Sequence, residues 1–209
     1  MKNLKDRKAI FWDFDGVILN SMPIREKGFR EVLSSYPTVE VEQLIDYHNK
    51  NAGLSRYVKF KYFFNYIRKE FDTEELEADL ARKFSVLMKE SLLDEKLLIH
   101  EVINFIKRNL IIKMHIVSGS DGDELRYLCS NLGIESLFVS IEGSPTPKIK
   151  LVERLIQKFS YQKENICLIG DSINDYQAAS LNGIDFMGYN NKALIALNES
   201  YINSFDEYS

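Results

Sequence analysis

The sequence predicts an α/β fold: a Rossmann-like parallel sheet core with an inserted helical unit. Three observations support this prediction. Short apolar runs alternate with helical segments through the second half of the chain. Several of these runs are apolar on both faces, as strands buried within a parallel sheet are. Residues 20–95 break the alternation, because they are rich in helix formers and aromatic residues and contain no convincing strand. We therefore expect residues 1–19 and 96–209 to form the α/β core and residues 20–95 to form a helical insert.

Five apolar runs fit the strands of this core. They span residues 9–14, 111–120, 137–143, 165–172 and 183–189. Helical segments lie between them, and two of these segments close on Gly133 and Gly183, since glycine is common just past the end of a helix. In a parallel sheet the active crevice lies beyond the carboxyl ends of the strands. Residues at those ends are therefore the candidate functional residues.

Composition and charge narrow the class of protein. The 209 residues are 45% hydrophobic and 28% charged, which is ordinary for a globular protein. The net charge of −4 argues against nucleic-acid and membrane partners, which favour a basic surface. Two cysteines without metal-site spacing indicate reduced thiols. The first ten residues resemble neither a signal peptide nor a membrane span. We expect a cytoplasmic protein, either a monomer or a weak homo-oligomer.

Acidic residues follow two of the predicted strands. Asp13 and Asp15 stand at the end of the first strand and, being two apart on an extended chain, point the same way. Asp171 and Asp175 follow the fourth strand. An ionised carboxylate at the end of a buried strand is costly unless it is paired or bound to a metal. Converging carboxylates without histidine or cysteine indicate a Mg²⁺ site.

Neighbouring residues offer the groups that a phosphoryl group requires. Ser118 offers a hydroxyl at the exit of the second strand, the loop at Gly119 offers amides, and "GSPTPKIK" offers Lys148 or Lys150. A carboxylate in this place can attack phosphorus and form an aspartyl-phosphate. A second carboxyl two residues later can protonate the leaving oxygen and then activate water.

Four segments resemble, in order, the four motifs of the haloacid dehalogenase superfamily: "DFDGVILNS", "IVSGS", "PTPK" and "GDSINDYQAA". The resemblance covers most of the chain. The helical insert is similar to the C1 cap of the phosphoglycolate phosphatase and β-phosphoglucomutase branch. The tail resembles the short edge strand and closing helix with which such chains end.

The resemblance implies a role for each matching residue. Asp13 matches the nucleophile and a Mg²⁺ ligand. Asp15 matches the general acid/base, with its backbone carbonyl also on the metal. Ser118 matches the phosphate-binding hydroxyl, Asp171 a direct metal ligand, and Asp175 a further acidic position that is either a ligand or a support for one.

The third motif departs from the usual pattern. Many relatives place the lysine before a Pro-x-Pro segment, whereas here Lys148 follows Pro145 and Pro147. We expect Lys148, rather than Lys150, to be the phosphate-binding lysine.

The resemblance implies a Mg²⁺-dependent phosphatase that acts on a small phosphorylated metabolite. A sugar-phosphate mutase is the alternative, but it would carry a histidine where this chain has Arg25, and a guanidinium does not titrate. A phosphate-binding regulatory protein is a further alternative. Its expected mark is the loss of Asp13 or Asp15, and both are present.

The insert should supply specificity by closing over the crevice. In "NKNAGLSRYVKF", Gly53 would let the backbone approach a ligand, and Arg56, beside Ser55, could bind an anionic group, as could Arg25. The alternative is a turn between helices, with Ser55 as N-cap and Arg56 solvated. His48 is expected to be a surface or half-buried residue without a catalytic role. The sequence does not name the substrate.

Overall fold

The computed structural model describes residues 4–197 and 200–208. Its sheet has six parallel strands in the order β3-β2-β1-β4-β5-β6. The strands are β1 (Ala9–Trp12), β2 (Lys113–Asp121), β3 (Ser140–Ser144), β4 (Ile166–Gly170), β5 (Asp185–Tyr189) and β6 (Ser200–Ile202). The predicted α/β class is confirmed.

Strand β1 lies at the centre of the sheet, and all four of its residues are buried. Phe11 pairs with His115 of β2 on one side and with Leu168 of β4 on the other. The chain order reverses at this strand, so the crevice at its carboxyl end is the expected ligand site of such a sheet. Strand β3 starts at Ser140, later than predicted, because residues 135–137 form a 3₁₀ turn.

Four helices cover the sheet: α5 (His100–Arg108), α6 (Gly122–Asn131), α7 (Lys148–Lys158) and α8 (Ile173–Asn182). Helix α6 begins where the Asp121 carboxylate accepts hydrogen bonds from the backbone amides of Asp123 and Glu124. Helix α8 ends at Gly183, which adopts φ +67° and closes the last turn. The edge strand of the tail is present, and a 3₁₀ turn at Phe205–Tyr208 stands in place of the closing helix.

The insert contains α1 (Met22–Val32), α2 (Thr38–Lys50), α3 (Arg56–Tyr62) and α4 (Glu74–Ser91), with a π-helical turn at Phe63–Arg68 after α3. The rings of Phe29, Phe60 and Phe84 pack against one another at its centre and are buried. The aromatic stripe therefore belongs to the core of the insert, as its helical spacing indicates. We call residues 20–95 the cap from here on; these bounds stay a prediction.

Among the described residues, no helix is both long enough and apolar enough to span a membrane.

Candidate active site

Three carboxylates meet at the carboxyl end of the sheet. Oxygens of Asp13, Asp171 and Asp175 all lie within 4.8 Å of one another. Asp13 follows β1, Asp171 follows β4, and Asp175 stands in the first turn of α8. Two adjacent strands and one helix start thus bring together three of the predicted acidic residues.

Two glycines, which have no side chain, leave room for the close approach of these carboxylates. At Gly16, which adopts φ +76°, a Cβ would overlap the carboxylate of Asp171. At Gly170 a Cβ would overlap the side chain of Asp175. The missing side chains leave the space in which the carboxylates stand.

Two asparagines after β5 hold the loops of the site. The Asn190 side-chain amide donates to the Gly16 carbonyl at 2.9 Å, and that of Asn191 donates to the Asp171 carbonyl at 2.8 Å. Neither residue stands out in the sequence, because an asparagine pair after a strand most often indicates a turn.

Lys148 lies inside the acidic cluster. Its ammonium group is 2.9 Å from Asp13 Oδ1 and donates to Asp175, and its side chain is almost fully buried. Lys150, in contrast, is exposed and pairs with Glu153 on the same helix. The structure therefore places Lys148, and not Lys150, among the catalytic candidates.

The three carboxylates of the cluster face a single ammonium group, that of Lys148, so negative charge is in excess. Burial, and then repulsion by Asp175, raises the pKa of Asp13 to about 7, although Lys148 opposes the shift. Burial and repulsion by Asp13 likewise raise the pKa of Asp171. Asp171 Oδ1 is buried and has no hydrogen-bond partner among the described residues. An orphaned carboxylate oxygen in an all-oxygen, acidic donor set fits a hard divalent cation such as Mg²⁺.

Asp15 is held apart from the cluster by three donors. Arg25 Nε lies 2.5 Å from its Oδ1, Ser21 donates to the same oxygen, and Ser120 Oγ donates to Oδ2 at 2.5 Å. Burial alone would raise the pKa of Asp15, but Arg25 and the two serines hold it below its usual value. Its side chain is therefore ionised and not part of the carboxylate cluster.

Ser118 and Gly119 line a small pocket with Asp13, Asp15 and Asp171. Ser118 is buried, and its Oγ accepts a hydrogen bond from the Ser120 amide at 3.1 Å. The cap closes this pocket, since a Cβ on Gly119 would overlap the carbonyl of Gly53. Gly53 thus brings cap backbone directly against Gly119 of the core, while its approach to a ligand stays a prediction.

Ser55 caps α3, and its Oγ accepts from the Val58 amide at 3.4 Å. Ser55 is thus the N-cap that a turn between helices predicts, but Arg56 is not solvated, because it is only 4% exposed. Arg56 Nη2 lies 2.5 Å from Glu124 Oε2, and its Nη1 donates to Ser85 Oγ at 2.5 Å. Arg56 is a buried ion-pair partner.

Glu124 joins the cap to the core. This α6 residue is completely buried and also binds Arg25 Nη1 at 3.0 Å. Nothing in the sequence singles out Glu124, since an acidic residue in the first turn of a helix is usually an exposed residue that the helix dipole stabilises.

His48 is buried, contrary to the expectation of a surface or half-buried residue. Its Nδ1 lies 2.8 Å from the ammonium group of Lys59, which is buried as well. Both residues point into the same part of the cap–core boundary as Arg25.

The chain matches one known protein family over most of its length. A family model described as haloacid dehalogenase-like hydrolase matches residues 7–183. The chain belongs to the haloacid dehalogenase-like hydrolases. No curated protein matches this hydrolase in sequence.

Solved structures share the whole fold of this hydrolase at low identity. A predicted phosphoglycolate phosphatase from Haemophilus somnus has a TM-score of 0.79 at 19% identity, covering 99% of this chain and 98% of its own. CbbY from Rhodobacter sphaeroides, solved with phosphate, has a TM-score of 0.77 at 16% identity, and the match covers 97% of this chain and 96% of CbbY. β-Phosphoglucomutase from Clostridium difficile has a TM-score of 0.74 at 18% identity, and the match covers 97% of this chain and 93% of the mutase. These likenesses confirm the fold, including the helical cap.

Proposed function

We propose that this hydrolase is a Mg²⁺-dependent phosphatase that hydrolyses a small phosphomonoester through an aspartyl-phosphate on Asp13. The observation that carries the proposal is the buried cluster of Asp13, Asp171 and Asp175 around Lys148, with the orphaned Asp171 oxygen. So much buried negative charge destabilises a fold, and a site of this kind is retained where chemistry needs it.

Asp13 and Asp171 would hold the metal, together with the backbone carbonyl of Asp15. Asp175 would support them, because its carboxylate already accepts from the Ser172 amide and hydroxyl and from Lys148. Bound Mg²⁺ would offset the charge of the phosphoryl oxygens and of the carboxylates.

The proposed reaction has two steps. Asp13 attacks phosphorus, an O–P bond forms to its carboxylate, the ester P–O bond breaks, and Asp15 gives a proton to the leaving alkoxide. Asp15 then takes a proton from a water that attacks the aspartyl-phosphate, which frees Asp13 and releases phosphate. Ser118, the Gly119 amide and Lys148 would hold the phosphoryl oxygens throughout.

Asp15 must hold a proton in the first step, although Arg25 holds it ionised in this structure. A bound phosphate dianion raises the pKa of a neighbouring carboxyl. Binding of the substrate beside Asp15 therefore favours the protonated form that the leaving group needs.

Arg25 weighs against the mutase alternative. Its guanidinium is buried between Asp15 and Glu124. Burial alone would lower its pKa, but the two carboxylates raise the pKa above its already high value, so Arg25 cannot exchange a proton with Asp15. The regulatory alternative has no support from the site, because each position that the chemistry requires holds a competent side chain.

The test is hydrolysis of p-nitrophenyl phosphate by the purified chain, with Mg²⁺ and with excess EDTA, beside Asp13→Asn. We expect metal-dependent turnover that falls by at least about a thousandfold in the variant, since it loses the nucleophile. Asp123→Asn, at an exposed position, is the control with unchanged turnover. Metal-independent turnover, or full activity of Asp13→Asn, would refute the assignment.

A further inference from the structure

The loop after β5 carries two asparagines, Asn190 and Asn191, on the side of the acidic cluster that faces away from the phosphoryl pocket. Together with Asp171 they line a groove between the cap and the core, whereas the described lining of the pocket at Ser118 and Gly119 does not include them. Both asparagines contact the loops that carry the cluster. Any effect that they have on the reaction must therefore act through those loops.

The side-chain amide of Asn191 is fixed at both of its ends. Its Nδ2 donates to the Asp171 carbonyl at 2.8 Å, and its Oδ1 accepts from the Ala193 amide at 3.1 Å. The bond from Ala193 determines which end of the side-chain amide faces Asp171. It also ties Asn191 to the 3₁₀ turn Lys192–Leu197. The backbone of Asp171 is therefore held by a side chain that is itself held in place.

Asn190 fixes the turn that follows the proposed nucleophile. Its Nδ2 donates to the Gly16 carbonyl at 2.9 Å, while the Gly16 N–H donates to the Leu19 carbonyl at 2.8 Å. Both backbone polar groups of Gly16 are thus bonded, and the turn cannot shift without breaking one of these bonds. The Asp15 carbonyl belongs to the same planar peptide group as the Gly16 N–H, so its direction is fixed as well.

These two bonds act against electrostatic repulsion. Oxygens of Asp13, Asp171 and Asp175 lie within 4.8 Å of one another, with the ammonium group of Lys148 beside them. Without a divalent cation the carboxylates repel one another, and this repulsion pushes apart the loops that carry them. The Gly16 turn lies directly against the Asp171 carboxylate, because a Cβ on Gly16 would overlap it. Bonds from one loop to both Gly16 and Asp171 keep the two together.

We propose that Asn190 and Asn191 are positioning residues that hold the metal ligands of this hydrolase in place before Mg²⁺ binds. Among the proposed ligands are the Asp171 carboxylate and the Asp15 carbonyl, and each asparagine fixes the loop that carries one of them. A site that is already ordered when the ion arrives binds it more tightly, since the ion does not have to order it. The inference rests on the Mg²⁺-dependent phosphatase proposed above.

Calorimetric titration of the metal-free chain with Mg²⁺ tests the inference. Asn191→Ala removes the bond to the Asp171 carbonyl. Asn190→Gly removes the bond to Gly16 and keeps the backbone relaxed, because Asn190 adopts φ +56° and glycine tolerates that conformation. Loss of a residue that orients metal ligands typically costs about 10–100-fold in metal affinity, so we expect the Kd for Mg²⁺ to rise at least about tenfold in each variant. An unchanged Kd in both variants would overturn the inference.

Asn131→Ala is the matched control. Its side-chain amide also donates to a backbone carbonyl at 2.8 Å, that of Tyr127, but at the exposed last turn of α6. Each variant loses a hydrogen bond, so thermal unfolding in EDTA should show a small fall in Tm for all three. In excess Mg²⁺ the metal-induced rise in Tm should shrink for Asn190→Gly and Asn191→Ala only, since tenfold weaker binding removes about 1.4 kcal/mol of stabilisation. An equal fall in Tm with and without Mg²⁺ would show a merely structural role.

Steady-state kinetics distinguish positioning of the metal site from an effect on the substrate. With p-nitrophenyl phosphate, the kcat of Asn190→Gly and Asn191→Ala should return toward the wild-type value at saturating Mg²⁺, and KM for the ester should not change. Asn191→Gln, whose amide can still donate to the Asp171 carbonyl, should recover part of the Mg²⁺ affinity. A loss of kcat that saturating Mg²⁺ does not restore would contradict the inference.

The same experiments separate this inference from the phosphatase proposal. Mg²⁺-dependent hydrolysis in the wild type, together with wild-type Mg²⁺ affinity in both asparagine variants, would refute the inference and leave the phosphatase intact. Weaker Mg²⁺ binding by both variants of a chain that hydrolyses no ester would support the positioning role and refute the phosphatase.

Discussion

Removing Glu124 should uncouple the cap from the core and lower stability. Glu124→Ala deletes a completely buried carboxylate that lies 3.0 Å from Arg25 and 2.5 Å from Arg56. Breaking a buried pair from one side costs about 3–5 kcal/mol, because it leaves a buried charge unpaired. Each arginine keeps one other partner, Asp15 or Ser85, so the lower end of that range applies.

The assay is urea and thermal unfolding, followed by circular dichroism. A loss of about 3 kcal/mol corresponds to a fall of roughly 6–12 °C in Tm for a chain of this size. Asp123→Asn is the matched control on the same helix turn. Its carboxylate is 86% exposed and pairs with Arg126, so we expect a change of no more than about 1 kcal/mol.

A double variant tests the cause of the loss. Adding Arg56→Met to Glu124→Ala removes one of the two guanidinium groups left without Glu124. The double variant should therefore be more stable than the sum of the two single losses predicts. The buried ion pairs do not join the cap to the core as described if the free energy of unfolding of Glu124→Ala lies within about 1 kcal/mol of the wild-type value. The same conclusion follows if the losses of the two single variants simply add.

Three further predictions concern the site. Gly16→Ala should weaken Mg²⁺ binding and activity, because a Cβ overlaps a cluster carboxylate; Gly133→Ala, also at positive φ but with open space around it, should cost only stability. Lys148→Ala should lower kcat at least about a hundredfold and Lys150→Ala hardly at all, as steady-state kinetics would show. In EDTA, folding raises the pKa of Asp13 from 3.8 to about 7, so the folded state binds the extra proton between these values. The wild type should therefore lose stability relative to Asp13→Asn as pH rises through that window, and Mg²⁺ should reverse the loss; a constant difference in Tm would contradict this.

The fold was predictable because its signals are local. A strand buried on both faces, such as β1, must be apolar throughout, and the turn at Gly16 needs a residue that tolerates positive φ. The strand boundaries differ from the predicted ones by a few residues where a short 3₁₀ turn stands in place of predicted strand, as before Ser140. Such turns carry little sequence signal.

The sequence by itself also determined the acidic site. Asp13, Asp171 and Asp175 stand at the ends of elements whose order in a parallel sheet brings them together, so chain position was enough to place them. For these residues the position in the fold follows from topology. The choice between Lys148 and Lys150 needed the tertiary structure.

Only the tertiary structure decided what lies behind Asp15. Arg56 and His48 have sequence neighbours typical of a helix surface, and Glu124 resembles any acidic residue at a helix start. They are buried where the cap packs on the core, and the Glu124 carboxylate of the core pairs there with Arg25 and Arg56 of the cap. Burial of charge depends on partners that lie far away in the chain, and no local pattern records them.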